Sequence, residues 1–555
     1  MIRDILFQIK DTFSKLTLNR QKEIDKRLDS SFGQPKDESF DFDIIDKYFR
    51  NKENSKVQQV LSDKTCNDLD FKDLYAFLDR THSRIGQQYL YNKLRAIQCD
   101  KEQNKLDETI IDMLSRDSEF RISIQKKIEK LNHKDASNVI SLFQDAHVKP
   151  PKWFFVMKLL SFTSIVSLIL SFIDPLFFIV LLGVFCVNCV IHFWNKNNLF
   201  QYGSSIPQLI NLNKVATSLY SLPLFKDLNP KLPTSITLIN QVKSRMSLFQ
   251  LEAKLQGDFQ IILWFLFEIF KTLFLIEPLF LFGVLKRLDT KRDDIENVFK
   301  FVGHIDMLIS IASLRNGLDS YCKPTIINGN GIIAHKMKHP LIYECTSNSI
   351  TMTDKSVLLT GSNMSGKTSF IRAIGLNVIT GLTINTCFAE SMSFPLLRVF
   401  SAIRISDDLL NDKSYYFEEV LTIKEMILEG QNNEKNLFLL DELFKGTNTV
   451  ERISAGRAVL SSLAKNNNIV LVSTHDIELT DLLSGAYELY HFSEIINENK
   501  IGFDYKLKEG KLQNRNAIRI LEINDYPKEI IDEALEISKA LDEVFSVPSM
   551  NKGIK

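Results

Sequence analysis

The sequence predicts an α/β P-loop domain at the C-terminal end, preceded by an all-α domain into which an apolar helical hairpin is inserted. Three observations carry this expectation. Gly361-Ser362-Asn363-Met364-Ser365-Gly366-Lys367-Thr368 fits the pattern G-x-x-x-x-G-K-[ST]. Across residues 326–545, short aliphatic runs alternate with helical patterning, as a parallel sheet flanked by helices requires. Between 153 and 194, two apolar runs are separated by Asp174-Pro175, and a membrane-spanning helix needs roughly 17–25 such residues.

The P-loop reading rests on its surroundings. Ser356-Val357-Leu358-Leu359-Thr360 reads as a buried strand, and Ser369-Phe370-Ile371-Arg372-Ala373-Ile374 reads as a helix. The glycines between them let backbone N–H groups turn inward around phosphate oxygens. The helix N-terminus adds a partial positive charge behind them. The phosphate-binding candidates are therefore Gly361, Ser362, Asn363, Met364, Ser365, Gly366, Lys367, Thr368 and Ser369. Lys367 would reach the β- and γ-phosphates, and the Thr368 hydroxyl would ligate Mg²⁺.

Two further strand ends complete this chemistry. Leu437 to Leu440 is an apolar strand that ends in Asp441-Glu442. Asp441 would hold Mg²⁺, and Glu442 would orient or deprotonate the attacking water. Ile469 to Ser473 is another buried strand, followed by Thr474-His475-Asp476. Ligands bind at that edge of open α/β sheets, so His475 is the second catalytic candidate. Gly446-Thr447-Asn448-Thr449 is either a turn or a loop crossing between subunits.

Composition sets the frame. At 555 residues the chain has room for roughly three or four domains. Totals of 68 basic and 68 acidic residues give zero formal net charge. Global charge therefore excludes a strongly basic nucleic-acid binder and leaves only local patches for such contact. The cysteines number seven and are scattered, which fits a reducing compartment rather than a disulfide framework. Cys186 and Cys189 sit inside an apolar run and read as packing. The first 30 residues hold no apolar h-region, so no cleavable signal peptide is expected.

In chain order, residues 1–60 read as an adaptor segment. It holds an amphipathic helix at Ile2–Leu18, a loop at Ser30–Phe40 and the start of a helix at Phe42–Phe49. Residues 61–152 form the first part of a helical core, with Leu74, Phe77, Leu78, Ile85, Tyr89, Leu90 and Leu94 at helical spacing. Phe77 to Gly86 has a helix–turn–helix rhythm, with Thr81 or Ser83 as N-cap and His82 as a surface or capping residue. Residues 153–194 are the hairpin. Its second run, Leu176 to Trp194, lacks Lys, Arg, Asp and Glu, whereas the first reaches spanning length only with Lys158 included. Lys149, Lys152 and Lys158 precede the pair and Lys196 follows it. Basic flanks put both ends on the cytoplasmic side, and Trp153 and Trp194 sit where interfacial aromatics belong. The other reading is a helical hairpin buried in a soluble protein. Residues 195–325 are the second part of the core. There Ile261 to Leu285 is apolar but interrupted by Glu268, Lys271, Glu277 and Pro278, and reads as a buried or interfacial helix, the other reading being a further membrane contact. Asp293 to Leu314 is an amphipathic helix. Residues 326–545 hold the P-loop domain, closed by a helix at Lys528–Val544, and 546–555 are a tail.

Together these motifs resemble the MutS family of DNA mismatch repair, which are ABC-type ATPases. The family loop T-G-P-N-M-G-G-K-S is similar to Thr360 through Thr368, and the Asn363-Met364 pair is specific to that family among P-loop proteins. The family pattern D-E-x-x-x-G-T-x-T matches Asp441-Glu442, Gly446-Thr447 and Thr449. Its S-D-D-L…S-T-F-x-x-E resembles Ser406-Asp407-Asp408-Leu409 and Ser414 to Glu419, with Tyr415 in place of Thr. Its T-H-x-x-E-L matches Thr474-His475, Glu478 and Leu479, and His339-Pro340 resembles its H-P. Leu78-Asp79-Arg80-Thr81 through Gly86 and Leu90 resembles the start of the helical core, and Tyr526 to Ile531 the closing helix.

The resemblance implies an ATPase that uses Mg²⁺ and works as a homodimer with two composite sites. Ser414 of one subunit would approach the γ-phosphate held by the other, and Gly446 to Thr449 would line the same interface. It also implies helical arms around double-stranded DNA. The chain also departs from the family elsewhere. Nothing upstream of the core resembles the F-x-E mismatch reader, and the apolar hairpin lies where lever and clamp would project. Two expectations follow: a MutS-like ATPase on DNA without mismatch reading, tethered to the cytoplasmic membrane with its ATPase domain on the cytoplasmic side, or a membrane-anchored mechanochemical or scaffold ATPase that does not act on DNA.

Overall fold

A computed structural model describes residues 20–52, 54, 57–255, 261–362, 364–404, 415–497, 500–512, 517–524 and 526–546. The helix expected at Ile2–Leu18 lies outside them. The chain divides into two compact units, one formed by Met1–Val57 with Tyr75–Asp319 and the other by Gln58–Leu74 with Ser320–Lys555.

The first unit is helical. Its elements include α1 (Arg84–Arg95), α2 (Phe154–Leu170), α3 (Leu176–Tyr202), α4 (Ser205–Tyr220), α5 (Leu232–Leu255), α6 (Ile261–Leu273), α7 (Ile276–Leu288) and α8 (Arg292–Asn316). Helix α8 is the spine, packed against α1, α4 and α5. Ser83 caps α1 by accepting from the Gly86 N–H at 2.9 Å. The turn before it is fixed by Asp306 of α8, which accepts from His82 N and Ser83 N at 2.8 Å and from Ser83 Oγ at 2.6 Å. Only glycine fits at 86, because a Cβ there would lie 2.1 Å from Asp306 Oδ2. Burial pushes the Asp306 carboxyl up to about 6. His82, expected at the surface or as a cap, is instead half-buried with its ring on Gln125, and desolvation holds it down at about 4.

Helices α2 and α3 form the expected hairpin, broken at Asp174, whose carboxylate accepts from Leu176 N at 2.9 Å. At its base the rings of Trp153 and Trp194 lie 5.3 Å apart. Its polarity is inverted relative to a water-soluble helix pair. Phe155, Phe162, Phe172, Phe178, Ile179, Val190 and Phe193 are exposed, while Ser164, Ser167, Asn188, His192 and Asn195 are buried. Asn188, His192 and Asn195 follow at i, i+4 and i+7, so they share one face of α3. Leu176–Lys196 has a mean hydropathy of 2.6 with 22% of it buried, and is long and apolar enough to cross a membrane. Ile276–Asn316 meets the same length and composition criteria but is 83% buried, as expected of a core helix. The third apolar run is not one helix. It breaks between α6 and α7, with Leu275 in the left-handed region at φ +47. Lys271 and Glu277 on either side of the break are fully buried and lie 2.8 Å apart.

The second unit is α/β. Its elements include β1 (Ser356–Thr360), α9 (Lys367–Ile384), β2 (Arg398–Ala402), α10 (Tyr415–Glu429), β3 (Asn436–Asp441), α11 (Thr449–Leu463), β4 (Ile469–Ser473), β5 (Tyr487–His491) and β6 (Lys508–Glu509). Among the described residues the main sheet runs β6-β5-β1-β4-β3-β2. Strands β1 to β5 are parallel and β6 is antiparallel. Every residue of β1 and β4 is buried, as helices on both faces of a parallel sheet demand. A smaller sheet, ordered Thr325–Ile326, Ser391–Phe394, Ile332–Met337 and Asn348–Met352, stands beside it in sequence.

Residues Gln58–Leu74 join this unit across more than 300 positions of sequence. The Gln59 side chain pairs with both backbone groups of Val399 at 2.7 Å, covering the open edge of β2. Asp68 accepts from Ser401 Oγ at 2.7 Å, Ile403 N at 3.0 Å and Arg404 N at 2.9 Å.

Candidate active site

The C-terminal ends of β1, β3, β4 and β5 are laced by backbone bonds. Thr474 N donates to Leu359 O, Phe492 N to Thr360 O and Glu442 N to Ser473 O, each at 3.0 Å. This lacing fixes the loops that carry the chemistry. Gly361 has φ +147 and Gly366 φ +106, and a Cβ on Gly361 would lie 2.6 Å from Phe492 O. Glycine is therefore required at 361 on two counts. Met364 also has positive φ, at +69, and its side chain is exposed. Ser365 Oγ donates to Ser362 O at 2.8 Å, tightening the loop.

Lys367 opens α9 and points back into the loop, donating to Gly361 O and Ser362 O at 2.8 Å. Burial lowers its ammonium, opposed by the nearby Glu442 and Asp441 carboxylates. Thr368 Oγ1 donates to Asp441 Oδ2 at 2.8 Å, and Ser473 Oγ bonds the other Asp441 oxygen. Thr368 and Asp441 thus form an all-oxygen pair at the loop's end, a donor set suited to a hard cation such as Mg²⁺.

Glu442 sits one residue beyond the strand with φ +55. Its two oxygens are both engaged: His475 Nε2 lies 2.9 Å from Oε1 and Lys445 Nζ 2.8 Å from Oε2. The His475 hydrogen bond and then Lys445 hold the carboxyl at about 2, against desolvation, which would raise it. Glu442 is therefore ionised throughout the neutral range. Removing one partner should release part of this depression. In Lys445→Met the Glu442 carboxyl should titrate at a higher pH than in the parent, read by NMR of the labelled side chain. An unmoved titration would mean that Lys445 does not hold the carboxyl down.

A cavity of about 480 Å³ adjoins these groups, lined by the P-loop and by Met337, His339, Tyr343, Phe370, Phe492 and Tyr505. Ser362, Met364, Gly366, Lys367, Thr368, Ser369 and Glu442, all anticipated from sequence, border it. Asp441 and His475 stand behind that first ring, bonded to Thr368 and Glu442. Asn363 and Ser414, along with Ser406 to Leu409, lie outside the described residues.

Sequence reasoning assigned no role to the groups that position this constellation. Glu419 of α10 accepts from Phe444 N at 2.5 Å and so holds the turn after Glu442, where Phe444 also has positive φ. Arg452 of α11 forks onto Asp476 at 2.6 and 2.9 Å and fixes the residue next to His475. Lys445 was within a matched motif but carried no assigned role. The Arg452–Asp476 pair, 24 positions apart, leaves no local signal.

Comparison with known proteins agrees with this geometry. Residues 357–542 match the family model of MutS domain V. The DNA mismatch repair protein MutS of Petrotoga mobilis is 31% identical over 287 residues, which cover 49% of this chain and 34% of the relative. MutS of Aquifex pyrophilus is 28% identical over 263 residues, covering 45% of this chain and 30% of the relative. MutS of Listeria innocua gives the same figures, 28% over 263 residues. The chain matches about a third of the length of these relatives. The matches show residues 357–542 to be similar to MutS domain V.

Proposed function

We propose that this chain is a MutS-type ATPase, related to mismatch repair, that hydrolyses ATP to ADP and phosphate at composite sites shared between two copies of itself. The observation that carries the reading is the joining of Lys367, Thr368 and Glu442 on one cavity, with Asp441 and His475 bonded behind them, in a domain similar to MutS domain V. The P-loop amides and Lys367 hold the phosphates. Thr368 and Asp441 would hold Mg²⁺, which when bound neutralises charge on the β- and γ-phosphates. Glu442, ionised and steadied by His475 and Lys445, orients the attacking water and takes its proton. Ser414 of the second copy completes the γ-phosphate site.

The nucleotide engine acts on double-stranded DNA through phosphate contacts, without mismatch reading. It is held at the cytoplasmic membrane by residues 153–194, with the ATPase domain on the cytoplasmic side. Support for the membrane is the apolar-out, polar-in hairpin with basic flanks. The same hairpin supports a second reading, a membrane mechanochemical or scaffold ATPase that does not act on DNA. ATP hydrolysis by the detergent-solubilised full chain, with and without duplex DNA over a salt range, separates the two. DNA action predicts stimulation that fades as salt rises. Hydrolysis indifferent to DNA at low salt favours the second reading.

A further inference from the structure

Helices α6 and α7 follow a path that the hairpin alone does not explain. Helix α6 exposes Phe265, Leu266, Ile269 and Phe270, while Lys271 on its other side is buried. Its buried side faces α3. Glu268 meets Lys196 at 2.5 Å and His192 at 2.9 Å, and five residues on the Leu273 carbonyl accepts from Asn188 Nδ2 at 2.8 Å. As α6 advances from 268 to 273, its partners on α3 retreat from 196 to 188. The two helices are therefore antiparallel, and α6 ends level with the middle of the apolar stretch Leu176–Lys196. The chain then turns at Leu275 and comes back. Leu275 packs with Met157 and Ile191, and Phe282 sets its ring edge-on against Phe154, at the base of α2. From there α7 runs through Asp289–Lys291 into the core helix α8, with Lys286 and Arg287 exposed at its end.

At 13 residues, α6 spans about 20 Å, too short for a hydrocarbon core of ~30 Å. We propose that α6 and α7 form a re-entrant hairpin that dips into the same bilayer as α2 and α3 and leaves on the side where it began. This rests on the membrane reading of residues 153–194. Irregular backbone at membrane depth is tolerated only where protein satisfies and covers it. The turn meets that condition. Leu275 is fully buried, and Asn188 satisfies a carbonyl that the end of α6 leaves without a helical partner. Lys271 stands at the negative end of α6 and Glu277 at the positive end of α7, each opposite in sign to the helix end it occupies. His192, Glu268 and Glu277 bring ligand atoms within 4.8 Å of one another, but the Lys271 ammonium lies 2.8 Å from both carboxylates and supplies the positive charge there. Lys196 and Lys271 balance Glu268 and Glu277, so the inner face presents a neutral network to the surrounding helices.

The full chain reconstituted in phosphatidylcholine vesicles doped with a diazirine-tailed phosphatidylcholine tests this. After irradiation, lipid adducts should map to α2, α3 and the Phe265–Phe270 face of α6, and be absent from the buried Leu281 and Leu285 of α7. In sealed vesicles a membrane-impermeant amine reagent should modify Lys243 and Lys286 from the same side. Adducts on α2 and α3 with none at 265–270 would overturn the re-entrant hairpin and leave the membrane reading intact. Labelling of Lys243 and Lys286 from opposite sides would overturn it too, as a crossing. No adducts on any of these helices would remove both readings.

Discussion

Glu442→Gln is expected to bind ATP with near-parental affinity and to hydrolyse it about 10²- to 10⁴-fold more slowly, the range that a positioned general base contributes. Lys367 is held by bonds to Gly361 O and Ser362 O rather than to Glu442, so binding survives. The amide keeps the shape of the carboxylate and can still bond His475 and Lys445 in part, so the turn at φ +55 stays in place. It cannot take a proton from water. Nucleotide affinity by equilibrium binding, with single-turnover hydrolysis beside it, reads the two effects separately. Turnover near that of the parent would remove Glu442 as the base.

Lys367→Ala should lose ATP affinity by roughly 10- to 100-fold, since a hydrogen bond to a charged group contributes about 1.5–3 kcal/mol. Among the described residues its ammonium bonds only Gly361 O and Ser362 O of the loop, so the substitution frees two backbone carbonyls without opening the fold. The variant also tests sharing between copies. Mixed with Ser414→Ala, it should form heterodimers in which one site keeps Lys367 from one subunit and Ser414 from the other. Random pairing should then restore about a quarter of the parental sites, because half of the dimers are mixed and each mixed dimer has one intact site. No recovery on mixing would mean that each copy builds its site alone.

The α/β half of the fold was largely legible in the chain. The strand expected at Ser356–Thr360 is β1 and that at Ile469–Ser473 is β4, residue for residue. Continuous aliphatic runs with polar residues at one end are what a strand buried on both faces and open at its C-terminal edge must look like. What escaped was long-range. Asp68 and Gln59 serve strand β2 from more than 300 residues away, and no periodicity records that. Glu419 and Arg452 act through neighbours that only folding brings together. His82 was misjudged because its burial is set by Gln125 and Asp306, both distant in sequence. Charged residues inside Ile261–Leu285 read as breaks in an apolar helix. The break is real, at Leu275, but the charges bond one another rather than water.

The most direct measurement of the whole account is ATP hydrolysis by membranes carrying the full chain, assayed after carbonate washing and beside membranes carrying Glu442→Gln. A membrane-borne MutS-type engine predicts that the hydrolysis stays with the washed membranes and is lost with the substitution. Activity released into the soluble wash, or persisting in Glu442→Gln, would contradict it.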